Sequence, residues 1–360
     1  MKERNSAFEI MRLLAMQMII WGHCMMAKAK KQKPYLGIID CIGWGVGAFT
    51  VCAVNLYFLL TGYFLKSTNC RLNRIIAIWL KTIFYSFVIY MLYVCVTKSF
   101  SIKESISYLF PIITKKYWYM QTYIVGALIS PFLAKGLEQL KDKQIAILIG
   151  ILVSFFSIHQ TFIKVRYTLD QTQGYGIIWA CVMYIIGYWI RKNRESISKK
   201  PLWIYCSIYI LTSMVIYASN YLIVKWNIAG GVSSRGNFYA YNSVTVLIQS
   251  IGLFCVFVKA SSRKVTNKLI NSLAAHSLAG YLISAHPVLL YSLWIECIHL
   301  NRYMENAFLY VTVSFLLSTL VLLICILIDK ILEELLIKIK TTNNYRKIDR
   351  ILCHIENIID

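Results

Sequence analysis

The sequence predicts an all-α, polytopic membrane protein: a bundle of about ten transmembrane helices with an amphipathic C-terminal tail. Of its 360 residues, 58% are hydrophobic and only 15% are charged, whereas a soluble domain has about 45–50% apolar and about 25% charged residues. The apolar residues also fall in blocks of about 20, the length that crosses the hydrocarbon core of a bilayer. These observations exclude a soluble enzyme, a disulfide scaffold and a disordered chain.

Ten apolar segments predict the transmembrane spans. They are Phe8–Ala27, Ile42–Leu65, Ile75–Val96, Tyr119–Ala134, Ile145–Phe162, Ile177–Ile190, Leu202–Val224, Val244–Val258, Leu269–Leu290 and Ala307–Ile328. The fourth, sixth and eighth are short, and Ile106–Trp118 is interpreted as a re-entrant or interfacial segment. The transmembrane domain is therefore predicted to cover residues 1–328, and the sequence shows no internal repeat.

The first span has some features of a secretory signal peptide. A basic start precedes the apolar run, and Ala27-Lys28-Ala29 is similar to a cleavage site. Glu9 and Arg12 interrupt the run, however. We therefore interpret this segment as an uncleaved first span.

The positive charge of the chain indicates orientation in a membrane. The net charge of +22 comes from 38 Lys and Arg against 16 Asp and Glu, and no nucleic-acid recognition motif accompanies it. With the N-terminus inside, 17 Lys and Arg fall in the inner segments and 13 in the outer ones. Four lysines in the first outer loop oppose this orientation. The balance predicts a multi-pass protein of the inner (plasma) membrane with both termini cytoplasmic.

The tail and the cysteines complete the predicted organisation. Residues 329–360 form the predicted cytoplasmic tail, whose apolar positions recur at helical spacing, typical of a helix on a membrane surface or docked on the bundle. The 11 cysteines are scattered through apolar stretches without a C-x-x-C pair. They are interpreted as small buried hydrophobes, and no disulfide and no metal site is expected.

Ionisable residues inside spans are functional candidates, because burying them in a membrane is costly. Arg12 and His23 lie on one face of the first helix, about 16 Å apart along its axis. Glu9 can pair with Arg12, but at about 21 Å from His23 it is too distant to orient that ring. The spacing alone leaves open an Arg that reaches the interface and a His satisfied by a neighbouring helix. Lys81, within the third span, is expected to face the bundle interior.

Five motifs occur in order along the chain. They are Arg12 and His23 with ten residues between them, Thr61-Gly62-Tyr63 after an aromatic stretch, the R-x-x-R of Arg71–Arg74, the aromatic segment Tyr117–Leu133, and His276–Trp294. Together they resemble the acyltransferase-3 family of integral membrane O-acyltransferases, of the type that modifies surface polysaccharides. The resemblance covers residues 4 to about 295.

Two motifs depart from the family pattern. Thr61 replaces a Ser and keeps the hydroxyl. Many polysaccharide-modifying members have His-Asp-Asn-Pro or Ser-Asp-Asn-Pro late in the chain, where this sequence has Ser284-Ala285-His286-Pro287. This departure leaves open whether His286 replaces a missing polar group or only packs.

The resemblance implies an enzyme with His23 as the catalytic histidine, and Arg12 and Glu9 complete the candidate catalytic set. Imidazole suits general-base chemistry near neutral pH, and whether His23 deprotonates the acceptor hydroxyl or carries the acyl group transiently stays open. The implied donor is acyl-CoA, most commonly acetyl-CoA. Arg12, Arg71 and Arg74 are candidates to hold its phosphates, because guanidinium groups form forked hydrogen bonds with phosphate. For Arg71 and Arg74 the alternative is positive-inside anchoring.

The implied acceptor is a hydroxyl of a surface polysaccharide or of its lipid-linked precursor. The candidate substrate-binding residues are Tyr63, Trp118, Gln121, Tyr281 and His286, because aromatic rings with a polar tip suit sugars. For Trp118 an aromatic belt at the membrane surface is the alternative. The expected partners are the carbohydrate or lipid-linked glycan, acyl-CoA, membrane lipid and envelope-biosynthesis proteins, but not nucleic acid.

Other functions fit the composition as well. A transporter or flippase of lipid-linked sugars is the main alternative, although such folds usually show internal repeats and broken spans. A glycan polymerase would be expected to have a large outer loop. An assembly partner without chemistry is a further alternative, which the altered segment Ser284–Pro287 keeps open.

Overall fold

The computed structural model describes residues 5–29, 37–67, 72–163, 172–226, 237–263 and 265–340. The structure is 81% helical and has no strand in these ranges, which confirms the all-α class. Its α-helices are α1 (Ser6–Ala29), α2 (Ile38–Thr50), α3 (Ala53–Tyr63), α4 (Leu72–Thr97), α5 (Ile102–Leu109), α6 (Trp118–Glu138), α7 (Asp142–Val153), α8 (His159–Phe162), α9 (Ile177–Lys192), α10 (Arg194–Lys199), α11 (Leu202–Lys225), α12 (Val244–Ala260), α13 (Lys268–Ala275), α14 (Leu278–Ser284) and α15 (Ala307–Lys340). The π-helical turns Ser154–Ile158 and Leu293–Cys297 and the 3₁₀ turns Asn237–Tyr239 and Leu300–Tyr303 lie between them.

Five helical stretches of the described chain are long and apolar enough to cross a membrane: Ile38–Tyr63, Leu72–Thr97, Asp142–Phe162, Leu202–Ile223 and Ala307–Leu335. They correspond to the predicted second, third, fifth, seventh and tenth spans. Their lengths of 21 to 29 residues match the thickness of a bilayer core. The total of ten spans stays a prediction, because α9 and α12 have only 16 and 17 residues.

The predicted ninth span, Leu269–Leu290, is wrong as one continuous helix. It divides into α13 and α14 at His276 and Ser277, and α14 ends at Ser284. The Ser277 hydroxyl donates to the carbonyl of Ala274 at 2.8 Å, which helps to close the turn at the break. Pro287 disfavours helix for the residue before it and has no N–H to continue one.

α6 stays helical through its proline. Pro131 lacks the N–H that would bond the carbonyl of Ala127 four residues earlier. The hydroxyl of Ser130 donates to that carbonyl at 2.9 Å instead. The predicted fourth span therefore continues to Glu138.

α15 is a single helix of 34 residues. It passes residues 328 and 329, where the predicted transmembrane domain ends and the tail begins, without interruption. Residues 341–360, most of the predicted tail, lie outside the described residues. That domain division stays a prediction.

α9 lies at the centre of the bundle, buried along most of its length and packed closely on α3. A Cβ atom on Gly62 would overlap the carbonyl oxygen of Tyr184, and one on Gly187 would overlap the carbonyl oxygen of Leu59. Small residues permit such close approach of helix backbones in membranes. The glycine of Thr61-Gly62-Tyr63 therefore sets the distance between α3 and α9.

Candidate active site

The candidate residues of α1 project toward the inside of the bundle. His23 follows Arg12 by eleven positions, about three helical turns, so both side chains leave the same helix face. The contacts of α1 with its neighbours flank that face. A Cβ on Gly22 would lie 3.3 Å from Thr50 of α2, and one on Gly280 of α14 would lie 3.1 Å from Met16. We refer below to the Arg12 end and the His23 end of the bundle.

The opposite face of α1 packs on α15 and borders an apolar groove. Gln17 donates to Ser318 at 2.8 Å and Trp21 donates to Ser314 at 3.1 Å. A cavity of about 380 Å³ also opens on this side. Its lining residues are Leu14, Gln17, Met18, Trp21, Gly45, Val46, Phe49, Thr50, Tyr209 and Phe315. Neither Arg12 nor His23 lines it, so the two faces of α1 are separate environments.

His23 has an unsatisfied ring nitrogen. Its Nδ1 atom is buried and has no hydrogen-bond partner within the described part of the chain. A buried polar atom without a partner is uncommon in proteins and is costly unless water or a ligand satisfies it. The arrangement suits a ring that meets a substrate or water rather than one fixed by a neighbouring helix.

Glu9 and Arg12 form an ion pair at the other end of α1. Arg12 Nη1 lies 2.6 Å from Glu9 Oε1, as their spacing predicts. Glu9 is 3% exposed, whereas the Arg12 side chain keeps 23% of its surface accessible. The backbone carbonyl of Arg12 accepts a hydrogen bond of 2.8 Å from the hydroxyl of Tyr57. Arg12 is thus held in place and still partly accessible.

The structure gives little information on Arg71 and Arg74, the other two arginines of the predicted donor site. Arg71 lies outside the described residues. Arg74 is exposed in the first turn of α4. Their assignment to phosphate binding stays a prediction.

Two predicted substrate-binding residues meet in one aromatic layer. Tyr119 contacts Trp118 at a ring-centroid distance of 5.9 Å and Tyr281 at 5.7 Å. The rings of Tyr57 and Phe58 in α3 complete the layer. Their centroids lie 6.1 and 5.7 Å from that of Tyr119. The three helices α3, α6 and α14 therefore contribute to one aromatic layer, which contacts α1 through the hydrogen bond from Tyr57 to Arg12.

Two further candidates are Tyr63 and Gln121. Tyr63 is buried at the Arg12 end, where its ring lies 5.1 Å from Phe8 and 5.7 Å from Phe254. Gln121 is half-buried, one turn into α6 from Trp118. The structure therefore separates Tyr63 from Trp118 and Tyr281, and both assignments stay predictions.

His286 is fully buried, and both of its ring nitrogens have protein partners. Nδ1 accepts from the N–H of Val288 at 3.3 Å, so the proton lies on Nε2, which donates to the carbonyl of Ser86 at 3.1 Å. Its ring stacks on Tyr108 at 5.0 Å with an interplanar angle of 14°. These contacts favour packing as its role, and substrate binding stays a prediction.

Tyr108, whose ring stacks on His286, also holds the segment between α4 and α6 in place. The ammonium of Lys116 lies 4.2 Å from the ring centre of Tyr108 and 2.7 Å from Glu104 Oε2. Burial acts to lower the pKa of Lys116, but its hydrogen bonds and charge interactions with Glu104 and Tyr108 together outweigh burial and raise that pKa above its usual value. A charged ammonium thus holds α5 against the bundle.

Sequence reasoning did not find the buried network around Asp329 of α15. Its carboxylate accepts from Lys81 at 2.6 Å, from Tyr85 at 2.8 Å and from His276 Nδ1 at 2.8 Å. Lys81 thus faces the interior as expected. Asp329, His276 and Glu333 could together hold a metal ion, but the ammonium of Lys81 already supplies a positive charge to the carboxylate. The available signal was a Lys within the predicted third span and an Asp directly after the predicted tenth span.

The fold and this site define a class: a multi-pass helical membrane protein with ionisable and aromatic residues on an interior face. The chain belongs to the acyltransferase-3 family, since the family model described as an acyltransferase domain matches residues 5–330. That match covers nearly the whole chain and confirms the resemblance inferred from the motifs. It supports a membrane acyltransferase. No curated protein and no solved structure matches the chain.

Proposed function

We propose that the protein moves an acyl group, most simply acetyl, from acyl-CoA to a hydroxyl of a surface polysaccharide or of its lipid-linked precursor. One observation carries the proposal. Within the matched domain, Arg12 and the unsatisfied His23 share the interior face of α1, about 16 Å apart. That distance suits a donor that is anionic at one end and carries its acyl group at the other.

The donor is proposed to enter at the Arg12 end. The accessible part of the Arg12 guanidinium, with Arg71 and Arg74, would hold the phosphates of the CoA nucleotide. Glu9 fixes Arg12 and limits its motion. The pantetheine arm would then extend along α1 and place the thioester near His23.

The proposed reaction requires a base, and the proton that the base removes returns to the leaving thiolate. His23 removes the proton from the acceptor hydroxyl while the hydroxyl oxygen bonds to the acyl carbon. The carbon–sulfur bond of the thioester then breaks, and the CoA thiolate takes up a proton from the imidazolium. In the alternative route, His23 attacks the thioester and the CoA thiolate leaves. The acceptor hydroxyl then takes the acyl group from the imidazole, and its proton passes to the thiolate.

Orientation follows from the loop charges. The inner-membrane location with both termini cytoplasmic would place the Arg12 end at the cytoplasm, where acyl-CoA is made, and the His23 end toward the outer face. Partners in envelope biosynthesis would supply the lipid-linked glycan. Tagging each terminus and testing its protease access in sealed vesicles measures this orientation directly.

The test of activity uses membranes that carry the protein, lipid-linked glycans of the same cells, and acetyl-CoA labelled in the acetyl group. We expect the native protein to transfer label to glycan and His23→Gln to lose transfer at equal protein level. His159→Gln is the matched control, because its Nδ1 is also buried without a partner among the described residues.

Each outcome of this test is informative. Transfer that is insensitive to His23→Gln would retain the enzyme and exclude His23 as its base. Release of the labelled acetyl group to water only, which is hydrolysis of acetyl-CoA, would exclude glycan as the acceptor. Movement of glycan across the membrane without transfer of label would favour the transporter.

A further inference from the structure

A group of aromatic rings lies at the His23 end of the bundle. Trp118, Tyr175 and Tyr241 come from the start of α6 and from the loops before α9 and α12. The centroid of Trp118 lies 4.4 Å from that of Tyr175 and 5.7 Å from that of Tyr241, and the two tyrosines are 4.9 Å apart. We call these three residues the aromatic platform. Sequence reasoning found only Trp118, because the loops carry no periodic signal.

Buried hydrogen bonds fix the Tyr241 side of the platform. Asn55 of α3 donates to the carbonyl of Tyr241 at 2.8 Å, and Trp179 of α9 donates to Asn55 Oδ1 at 3.1 Å. Asn55 and Trp179 are both 0% exposed. A loop residue fixed by two buried side chains is pre-organised, as binding sites require.

A hydrogen bond and a glycine turn hold the Tyr175 side of the platform in place. The Thr122 hydroxyl donates to the carbonyl of Tyr175 at 2.9 Å. Gly174 has φ of +84°, and a Cβ there would lie 2.8 Å from the Cβ of Tyr241, so only glycine fits this turn.

Contacts through α2 connect the platform to His23. Gly22, the neighbour of His23, packs on Thr50, and Gly47, one turn earlier on α2, packs on Tyr239 with a hypothetical Cβ–hydroxyl distance of 2.6 Å. Tyr239 lies two residues before Tyr241. The neighbour of His23 and the loop that carries Tyr241 thus contact α2 one helical turn apart.

The platform combines apolar faces with hydroxyl groups. Tyr175 is 44% exposed, Trp118 and Tyr241 are half-buried, and Tyr241 and Trp118 also pack on the central core. An aromatic belt residue would lie on the lipid-facing outside of the bundle instead. Rings with polar tips suit the apolar face and hydroxyl groups of a sugar.

We propose that the aromatic platform of Trp118, Tyr175 and Tyr241 binds a sugar ring of the acceptor and presents its hydroxyl to His23. The proposal deepens the proposed function and rests on it for the role of His23. Sugar binding itself does not require acyl transfer, so the two can be tested apart.

The test measures glycan binding and acyl transfer with the purified full-length protein. The probe is the lipid-linked glycan fraction of the cells that make it. We expect glycan to change the tryptophan fluorescence of the native protein and not of Trp118→Phe. Tyr175→Leu is expected to weaken glycan binding and raise the acceptor KM about tenfold, without changing the KM for acetyl-CoA.

Trp226→Leu is the matched control, because Trp226 directly follows α11 at the same end of the bundle and is 60% exposed. The platform proposal would be overturned if Tyr175→Leu, like Trp226→Leu, bound glycan with native affinity and kept the native acceptor KM. Acyl transfer by a native protein whose Trp118 does not respond to glycan would overturn it as well. Glycan binding through the platform without acyl transfer would support the platform and remove the acyltransferase proposal. If Tyr175→Leu fails to fold, the fluorescence response of Trp118 decides alone.

Discussion

Lys81 of α4 and Asp329 of α15 form an ion pair at 2.6 Å inside the bundle. They are 248 residues apart in the sequence, and Asp329 is only 2% exposed. The carboxylate also accepts from Tyr85 and His276, so three elements, α4, α15 and the break between α13 and α14, meet at one group. Such a group fixes the arrangement of helices, because leaving any member unpaired is costly.

Asp329→Leu is therefore expected to destabilise the protein by about 3–5 kcal/mol, since it leaves the Lys81 ammonium unpaired inside the bundle. Tyr85→Phe removes one hydrogen bond and is expected to cost only about 1 kcal/mol. The double variant Lys81→Met/Asp329→Leu is expected to recover much of the loss. Midpoints of denaturation in mixed detergent micelles measure all three. A double variant as unstable as Asp329→Leu would contradict the ion-pair explanation.

The close contact between α3 and α9 gives a second prediction. A methyl group on Gly62 would overlap the carbonyl oxygen of Tyr184, so Gly62→Ala is expected to force the helices apart and cost about 1–3 kcal/mol. Gly136→Ala in α6 is the matched control, because a Cβ there meets nothing within 4 Å. It is expected to be neutral or stabilising. Equal midpoints of thermal unfolding for the two variants would contradict the contact.

These cases show what the sequence could predict. Hydropathy located the spans matched by five helical stretches, and charge spacing predicted the pair of Glu9 and Arg12. The break at His276 was missed, because apolar composition continues across it. Asp329 was assigned to the tail, because its partner Lys81 lies on a distant helix and no local pattern connects them. The platform was missed in part, because Tyr175 and Tyr241 lie on loops that only the fold brings together.

His286 gives a third prediction. Both ring nitrogens are occupied by Ser86 and Val288, and the ring stacks on Tyr108. His286→Gln is therefore expected to reduce the amount of folded protein, and acyl transfer should fall in proportion. Size-exclusion chromatography in detergent, with transfer normalised to the folded fraction, checks this. A fully folded variant with a raised acceptor KM would place His286 in the acceptor site instead.

Arg12 provides the most direct test of the donor site. Its guanidinium pairs with Glu9 through one nitrogen and keeps part of its surface accessible, so other N–H groups can bind a phosphate. Arg12→Gln is expected to raise the KM for acetyl-CoA about tenfold or more, which corresponds to about 1.4 kcal/mol per factor of ten. Arg12→Lys should recover only part of the loss, because an ammonium lacks the forked geometry.

A donor without the nucleotide phosphates tests whether Arg12 binds phosphate. S-acetylpantetheine has the same thioester and arm but lacks the nucleotide phosphates, so native protein and Arg12→Gln are expected to use it with equal KM. Arg302→Gln, an exposed arginine at the His23 end, should leave the KM of both donors unchanged. Transfer by Arg12→Gln that falls equally with both donors would mean that Arg12 maintains the structure of α1 rather than binding phosphate. The difference between the two donors, not the loss of activity alone, therefore decides whether Arg12 belongs to the donor site.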